Sequence, residues 1–124
     1  MNNKKVLVID DETEILDILK KRIEMNNLVC LVASSAEEGI KMAREQLPDL
    51  VLLDIVMPDK NGYEVCEILK DDPKTKAIKI LLATGKDLNP EGLVQRCLDL
   101  GADDYILKPI NLKGLINKIK EILK

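Results

Sequence analysis

Histidine does not occur anywhere in the 124 residues. Its absence excludes a Ser–His or Cys–His nucleophile pair, a His-ligated metal centre and a phosphohistidine carrier within this chain. Phenylalanine and tryptophan are missing too, leaving Tyr63 and Tyr105 as the two aromatic residues. Stacking platforms for bases or flavin rings are correspondingly hard to build. Cys30, Cys66 and Cys97 are the three cysteines, far apart and without a CxxC pair. Neither a disulfide framework nor a structural zinc site is expected, only small buried or half-buried thiols. No apolar run approaches the roughly 18 residues needed to cross a bilayer. The opening residues, Met1 to Lys5, lack the apolar stretch and cleavage site of a secretory signal, so the expected location is the cytoplasm. The net charge is −3 with both signs interspersed, unlike the clustered basic face of a nucleic-acid binder. Carboxylates, hydroxyls, lysines and backbone groups are left to carry any chemistry.

What is present is an alternation of two segment types. Short apolar runs, Val6–Ile9, Leu28–Ala33, Leu50–Leu53, Ile78–Ala83 and Tyr105–Leu107, read as strands covered on both faces. Longer segments between them have helical spacing. The first carries Ile15, Leu16, Leu19 and Ile23 on one stripe. The second opens with Ser35 and Glu38 in a capping-box pattern and stops before Pro48. A third follows Asn61-Gly62, with Val65, Ile68 and Leu69. In the fourth, Asn89 is the expected cap, Pro90 the first helical residue, and Gly101 lies just past the end. The fifth follows Asn111 and carries Leu112, Leu115, Ile116, Ile119 and Leu123. Strand and helix thus alternate five times. That order predicts an α/β fold with a five-stranded parallel sheet, right-handed crossovers and helices on both faces. No linker divides the chain, so residues 1–124 are expected to form one domain.

In such a sheet ligands bind beyond the carboxyl ends of the strands. The first run ends in Asp10-Asp11, the third in Asp54, the fourth in Thr84-Gly85 and the fifth in Lys108-Pro109. The second ends in Ala33-Ser34-Ser35, a plain helix cap. In the strand order 2-1-3-4-5 the four chemically equipped strands are adjacent and the unequipped one lies at an edge.

Asp10, Asp11 and Asp54 then gather three carboxylates against one lysine, Lys108. Like charges so close disfavour joint ionisation unless a cation is near. A divalent ion makes the cluster neutral, and all-oxygen ligands select a hard one, magnesium or manganese. A carboxylate beside magnesium can attack phosphorus. The metal and Lys108 neutralise the transferring group. The Thr84 hydroxyl and the main-chain N–H groups of Val56 and Gly85 are placed to take phosphoryl oxygens, and Gly85 lets the backbone approach closely.

These motifs, Asp10-Asp11-Glu12, the run from Asp54 through Met57-Pro58 to Gly62, Thr84-Gly85, and Gly101 through Tyr105 to Lys108-Pro109, resemble receiver domains of two-component response regulators, of the chemotaxis-regulator and flavodoxin-like fold. The resemblance spans essentially the whole chain. It implies that Asp54 is the phosphoacceptor, served by a sensor histidine kinase or a histidine phosphotransfer protein. It implies magnesium on Asp11, Asp54 and the Val56 carbonyl, with Asp10 acting mostly through water. Thr84 and Tyr105 become a switch pair, and the face of the fourth helix, fifth strand and fifth helix becomes the surface that meets a target or effector domain. Lys108 contacts the phosphoryl group, and the Lys108–Pro109 bond is cis. Val56 and Lys86 hold the positions that tune hydrolysis of the acyl phosphate. Neither offers a carboxylate or amide to align water, so a long-lived phosphoryl state is expected. No direct contact with nucleic acid or membrane is implied; a phosphorylation-dependent dimer is compatible.

Two other readings use the same residues. A phosphatase of the haloacid dehalogenase class would use Asp10 as nucleophile. Against it stand the spacing Asp10-Asp11-Glu12 and an acid pair, Asp103-Asp104, that precedes Lys108. A flavodoxin-like cofactor carrier shares the fold, but wants a hydroxyl-rich loop and aromatics where this chain has Asp10-Asp11-Glu12 and two tyrosines.

Overall fold

A computed structural model describes residues 3–85 and 92–124. The chain runs β1 (Lys5–Ile9), α1 (Thr13–Glu24), β2 (Val29–Ala33), α2 (Ala36–Gln46), β3 (Leu50–Asp54), α3 (Gly62–Asp71), β4 (Lys79–Gly85), α4 (Leu93–Leu100), β5 (Asp104–Lys108) and α5 (Leu112–Ile122). All strand pairs are parallel, and the order is β2-β1-β3-β4-β5. This is the α/β architecture expected from the alternation.

Strand periodicity sorts the core into two layers, because successive side chains point to opposite faces. Val6, Val8, Leu50, Leu52, Leu81 and Ala83 pack with Leu16, Leu19 and Ile23 of α1 and Leu115, Ile116 and Ile119 of α5. Leu7, Ile9, Val51, Leu53, Ile80 and Leu82 pack with α2, α3 and α4 on the other side. Each such Leu or Ile contributes about 1.5–3 kcal/mol by leaving water. Leu93, Val94 and Cys97 belong to this second core, which makes that face of α4 interior. All three cysteines are buried and unpaired, and burial pushes the Cys30 thiol up to about 11.

The central strands are sheathed on both sides, but the edges are not. In β5, Tyr105 and Leu107 are 43% and 45% exposed; in β2, Val29 is exposed as well. Full cover was the expectation for every strand. It fails at the edges: at the first residue of β2, although α1 and α2 cover that strand's two faces, and along one face of β5.

Helix punctuation follows the side chains. Asn61 and Glu64 form a complete capping box on α3, and Asn111 caps α5 by accepting the Gly114 N–H. In α2 the expected box is displaced: Ser35 Oγ accepts the Glu38 N–H, while Glu38 Oε1 accepts from Ser34 rather than from the cap residue. Gly101 ends α4 at φ +116°, a conformation that suits glycine. The expected cap of α4, Asn89-Pro90, and the tuning residue Lys86 lie outside the described residues.

Candidate functional site

Register brings the expected residues together at the carboxyl rim. Ile9 pairs with Leu53, so Asp10 and Asp54 follow side by side. Asp54 ends β3 opposite Ala83, and Gly85 ends β4 opposite Lys108 at the end of β5. Asp10, Asp11 and Asp54 each offer an oxygen, and these atoms lie within 4.8 Å of one another. Asp10 and Asp54 are buried, at 3% and 7% exposure, whereas Asp11 is open to solvent.

Each buried carboxylate is held by two kinds of partner. Asp10 Oδ1 accepts the Glu12 N–H at 3.0 Å, and Oδ2 accepts from Lys108 Nζ at 2.9 Å. Asp54 Oδ1 accepts the Val56 N–H at 3.1 Å, and Oδ2 lies 3.4 Å from the same lysine. Glu12 approaches Lys108 as well, at 3.8 Å, a contact for which the sequence offers no signal beyond proximity to Asp10-Asp11. Burial lifts the Asp54 carboxyl above the usual carboxylate range, against the pull of the Val56 N–H and of Lys108. For Lys108 burial alone would depress the ammonium. The Asp10 hydrogen bond and the charges of Asp54 and Asp10 outweigh it and hold Lys108 above its ordinary value.

Thr84 is buried beside this cluster, and its hydroxyl donates to the Gly85 carbonyl at 3.3 Å. Tyr105 points outward and, with Thr84, Gly85, Val94, Gln95, Leu98 and Leu107, lines a groove of about 310 Å³. The Lys108–Pro109 peptide is cis. Of the late acid pair, Asp103 accepts the Ile80 N–H at 2.8 Å and Asp104 bonds Lys118 on α5 at 2.8 Å. Both are structural and away from the rim.

The loop after Asp54 is tightly anchored at its ends. Ile55 N–H bonds the Ala83 carbonyl at 3.2 Å, and Gly62 N–H bonds the Ile55 carbonyl at 2.8 Å. A Cβ on Gly62 would sit 2.8 Å from the Ile55 Cα, so this return of the chain needs glycine.

A family model for the response regulator receiver domain matches residues 6–120. The chain belongs to that family. Among curated relatives, the alkaline phosphatase synthesis transcriptional regulatory protein PhoP of Bacillus subtilis is 37% identical over 98% of this receiver and 49% of its own length. The transcriptional regulatory protein CpxR of Escherichia coli is 36% identical over 97% and 49%. The receiver thus spans about half the length of the curated relatives it matches. A solved CheY-like receiver domain protein from Methanospirillum hungatei superposes with a TM-score of 0.91 at 34% identity, covering 98% of this chain and 94% of its own. Receiver domains are the phosphoacceptors of two-component signalling, switches rather than true enzymes, and this one carries an acidic pocket of Asp10, Asp11 and Asp54. Among the described residues, no helix is long and apolar enough to cross a membrane.

The donor set fits a hard divalent cation. All three clustered side chains are carboxylates, and oxygen ligands in small number suit magnesium, which keeps part of its water shell.

Proposed function

We propose that Asp54 is the phosphoacceptor of this receiver. The observation that carries the reading is the meeting of Asp54 with Asp10, Asp11 and Lys108 at one rim, from positions up to 98 residues apart. A carboxylate oxygen of Asp54 attacks phosphorus, an acyl phosphate bond forms, and the bond to the donor breaks. With a phosphohistidine donor the leaving group is an imidazole, which takes up a proton. The donor is a sensor histidine kinase or a histidine phosphotransfer protein, which supplies the ring that this chain lacks.

Asp11, Asp54 and the Val56 carbonyl are the residues that would hold magnesium, or manganese, with Asp10 acting through water. When bound, the ion neutralises negative charge on the transferring group. Lys108 adds a positive charge at the same place, 2.9 Å from Asp10 and 3.4 Å from Asp54. The N–H groups of Val56 and Gly85 and the Thr84 hydroxyl receive phosphoryl oxygens. Thr84 and Tyr105 form the switch: Thr84 turns to the phosphoryl group and Tyr105 enters the space it leaves. That changes the α4–β5–α5 face, where a target, an effector domain or a second copy docks. Residues 1–124 act as one receiver unit, in the cytoplasm.

The test is incubation with acetyl phosphate and magnesium, then reduction of the acyl phosphate and peptide mapping by mass spectrometry. The expected product carries one label, at Asp54, and Asp54→Ala takes up none. Label on Asp10 would favour the phosphatase reading and defeat this one.

A further inference from the structure

Between its two anchors the loop after β3 has few ties to the rest of the molecule. Met57 is buried at 8% exposure. Among the described residues, the hydrogen bonds that join residues 57–60 to another element all come from one side chain, Asp59. Its Oδ1 accepts the Ala36 N–H at 3.2 Å, and its Oδ2 accepts the Glu37 N–H at 3.0 Å. These are the first two residues of α2. A helix leaves its first N–H groups without internal partners. Here Ser35 Oγ satisfies Glu38, and the first two are satisfied from a different loop, 22 or more residues away in sequence.

We propose that Asp59 is a positioning residue: its carboxylate clamps the loop that carries the Val56 carbonyl onto the start of α2 and so holds that carbonyl in place for a divalent cation. This rests on the reading of Asp10, Asp11, Asp54 and Val56 as the metal site. Only Met57 and Pro58 separate Val56 from Asp59, and Pro58 stiffens the connection. Side chains or backbone atoms that orient a metal ligand without touching the metal commonly matter about ten-fold or more in affinity. The bond is a strong one for a surface residue, since a carboxylate on helix N–H groups is charge-assisted and lies at the favourable end of the helix dipole. Those same N–H groups hold the Asp59 carboxyl below the usual carboxylate range, so the clamp is closed throughout the neutral range.

The measurement is cation affinity of the unphosphorylated protein: Mn²⁺ by electron paramagnetic resonance and Mg²⁺ by calorimetry, with thermal unfolding alongside. Asp59→Ala should weaken both ions about ten-fold. Asp59→Asn, which keeps one oxygen acceptor, should fall between it and wild type. Ser35→Ala removes a cap from the same helix end without touching the loop. It should lower the unfolding temperature as Asp59→Ala does, with cation affinity unchanged. Wild-type affinity in Asp59→Ala overturns the clamp, as does an equal loss in Ser35→Ala, which would mean that helix stability alone is responsible. Wild-type protein that binds neither ion sinks the metal site itself, and the clamp with it.

Discussion

Replacing Lys108 by Met removes one charge and leaves a side chain of similar length along the apolar groove formed by Ile15, Leu19, Pro109 and Leu112. Asp10 and Asp54 then sit buried without their ammonium partner, which in the wild type is 2.9 Å from one and 3.4 Å from the other. At an effective dielectric constant of about 20, charges at such distances attract by roughly 5–6 kcal/mol each. That gross figure overstates the loss, because Lys108 itself is desolvated in the wild type. A second bound comes from escape: one carboxyl can take up a proton. Doing so at pH 7.5 costs a carboxyl of ordinary pKa about 5 kcal/mol, and less for Asp54, which burial already raises. The expected destabilisation is therefore about 3 kcal/mol, the lower end of values for breaking a buried pair.

Urea unfolding followed by circular dichroism, with a chelator present, measures this loss. The loss should shrink in magnesium, which returns positive charge to the pocket. It should also shrink as pH falls. Without Lys108 the Asp54 carboxyl is raised further above its unfolded value. Between those two values the folded variant binds a proton that the unfolded chain does not, so its folded state gains stability on acidification. A loss below about 1 kcal/mol at pH 7.5, the size of an exposed ion pair, would refute the claim that Lys108 compensates two buried carboxylates.

Gly62→Ala places a methyl group against the Ile55 backbone, 2.8 Å from its Cα; thermal or urea unfolding should show a loss of about 2 kcal/mol. The gain that Gly→Ala normally brings in a helix would count against it. Val56→Asn and Lys86→Glu each introduce a group able to align an attacking water beside the acyl phosphate, so decay of the labelled protein should quicken in at least one of them. Unchanged decay in both would show that these positions do not set the lifetime.

The rim was legible because its signals are local and mutually constraining. Asp10, Asp54, Thr84-Gly85 and Lys108 each directly follow or end an apolar run, and strand order alone carries such positions to one edge. Helix starts were marked for the same reason: Asn61 and Asn111 stand just before their helical segments, and each caps through its side chain an N–H three residues on. What sequence could not supply are contacts between segments. Asp59 reads as an ordinary loop residue after proline until α2 is placed beside it. Glu38 could serve either Ser34 or Ser35, and only the turn geometry selects Ser34. The exposure of Tyr105 and Leu107 is likewise invisible in an apolar run, since burial at a sheet edge depends on which helices reach it.

Charge arithmetic in the pocket explains why the switch would involve Thr84. Three carboxylates and one ammonium leave a formal charge of −2, which a divalent cation cancels. On the proposed reading, acyl phosphate formation removes the Asp54 charge but adds a phosphoryl group of about −2, so the filled pocket becomes negative by about one unit. Dipoles at the rim can absorb part of the excess. The Val56 N–H, which now serves Asp54 at 3.1 Å, can serve the new oxygens instead. The Thr84 hydroxyl, now 3.3 Å from the Gly85 carbonyl, can do the same, and a bond to an anionic oxygen is about twice as strong as a neutral one. On that reading its rotation would empty one wall of the groove that Tyr105 lines, where a half-exposed aromatic ring gains by burial. On the proposed reading, a surplus of a single negative charge at the rim is thereby linked to the outer face of β5.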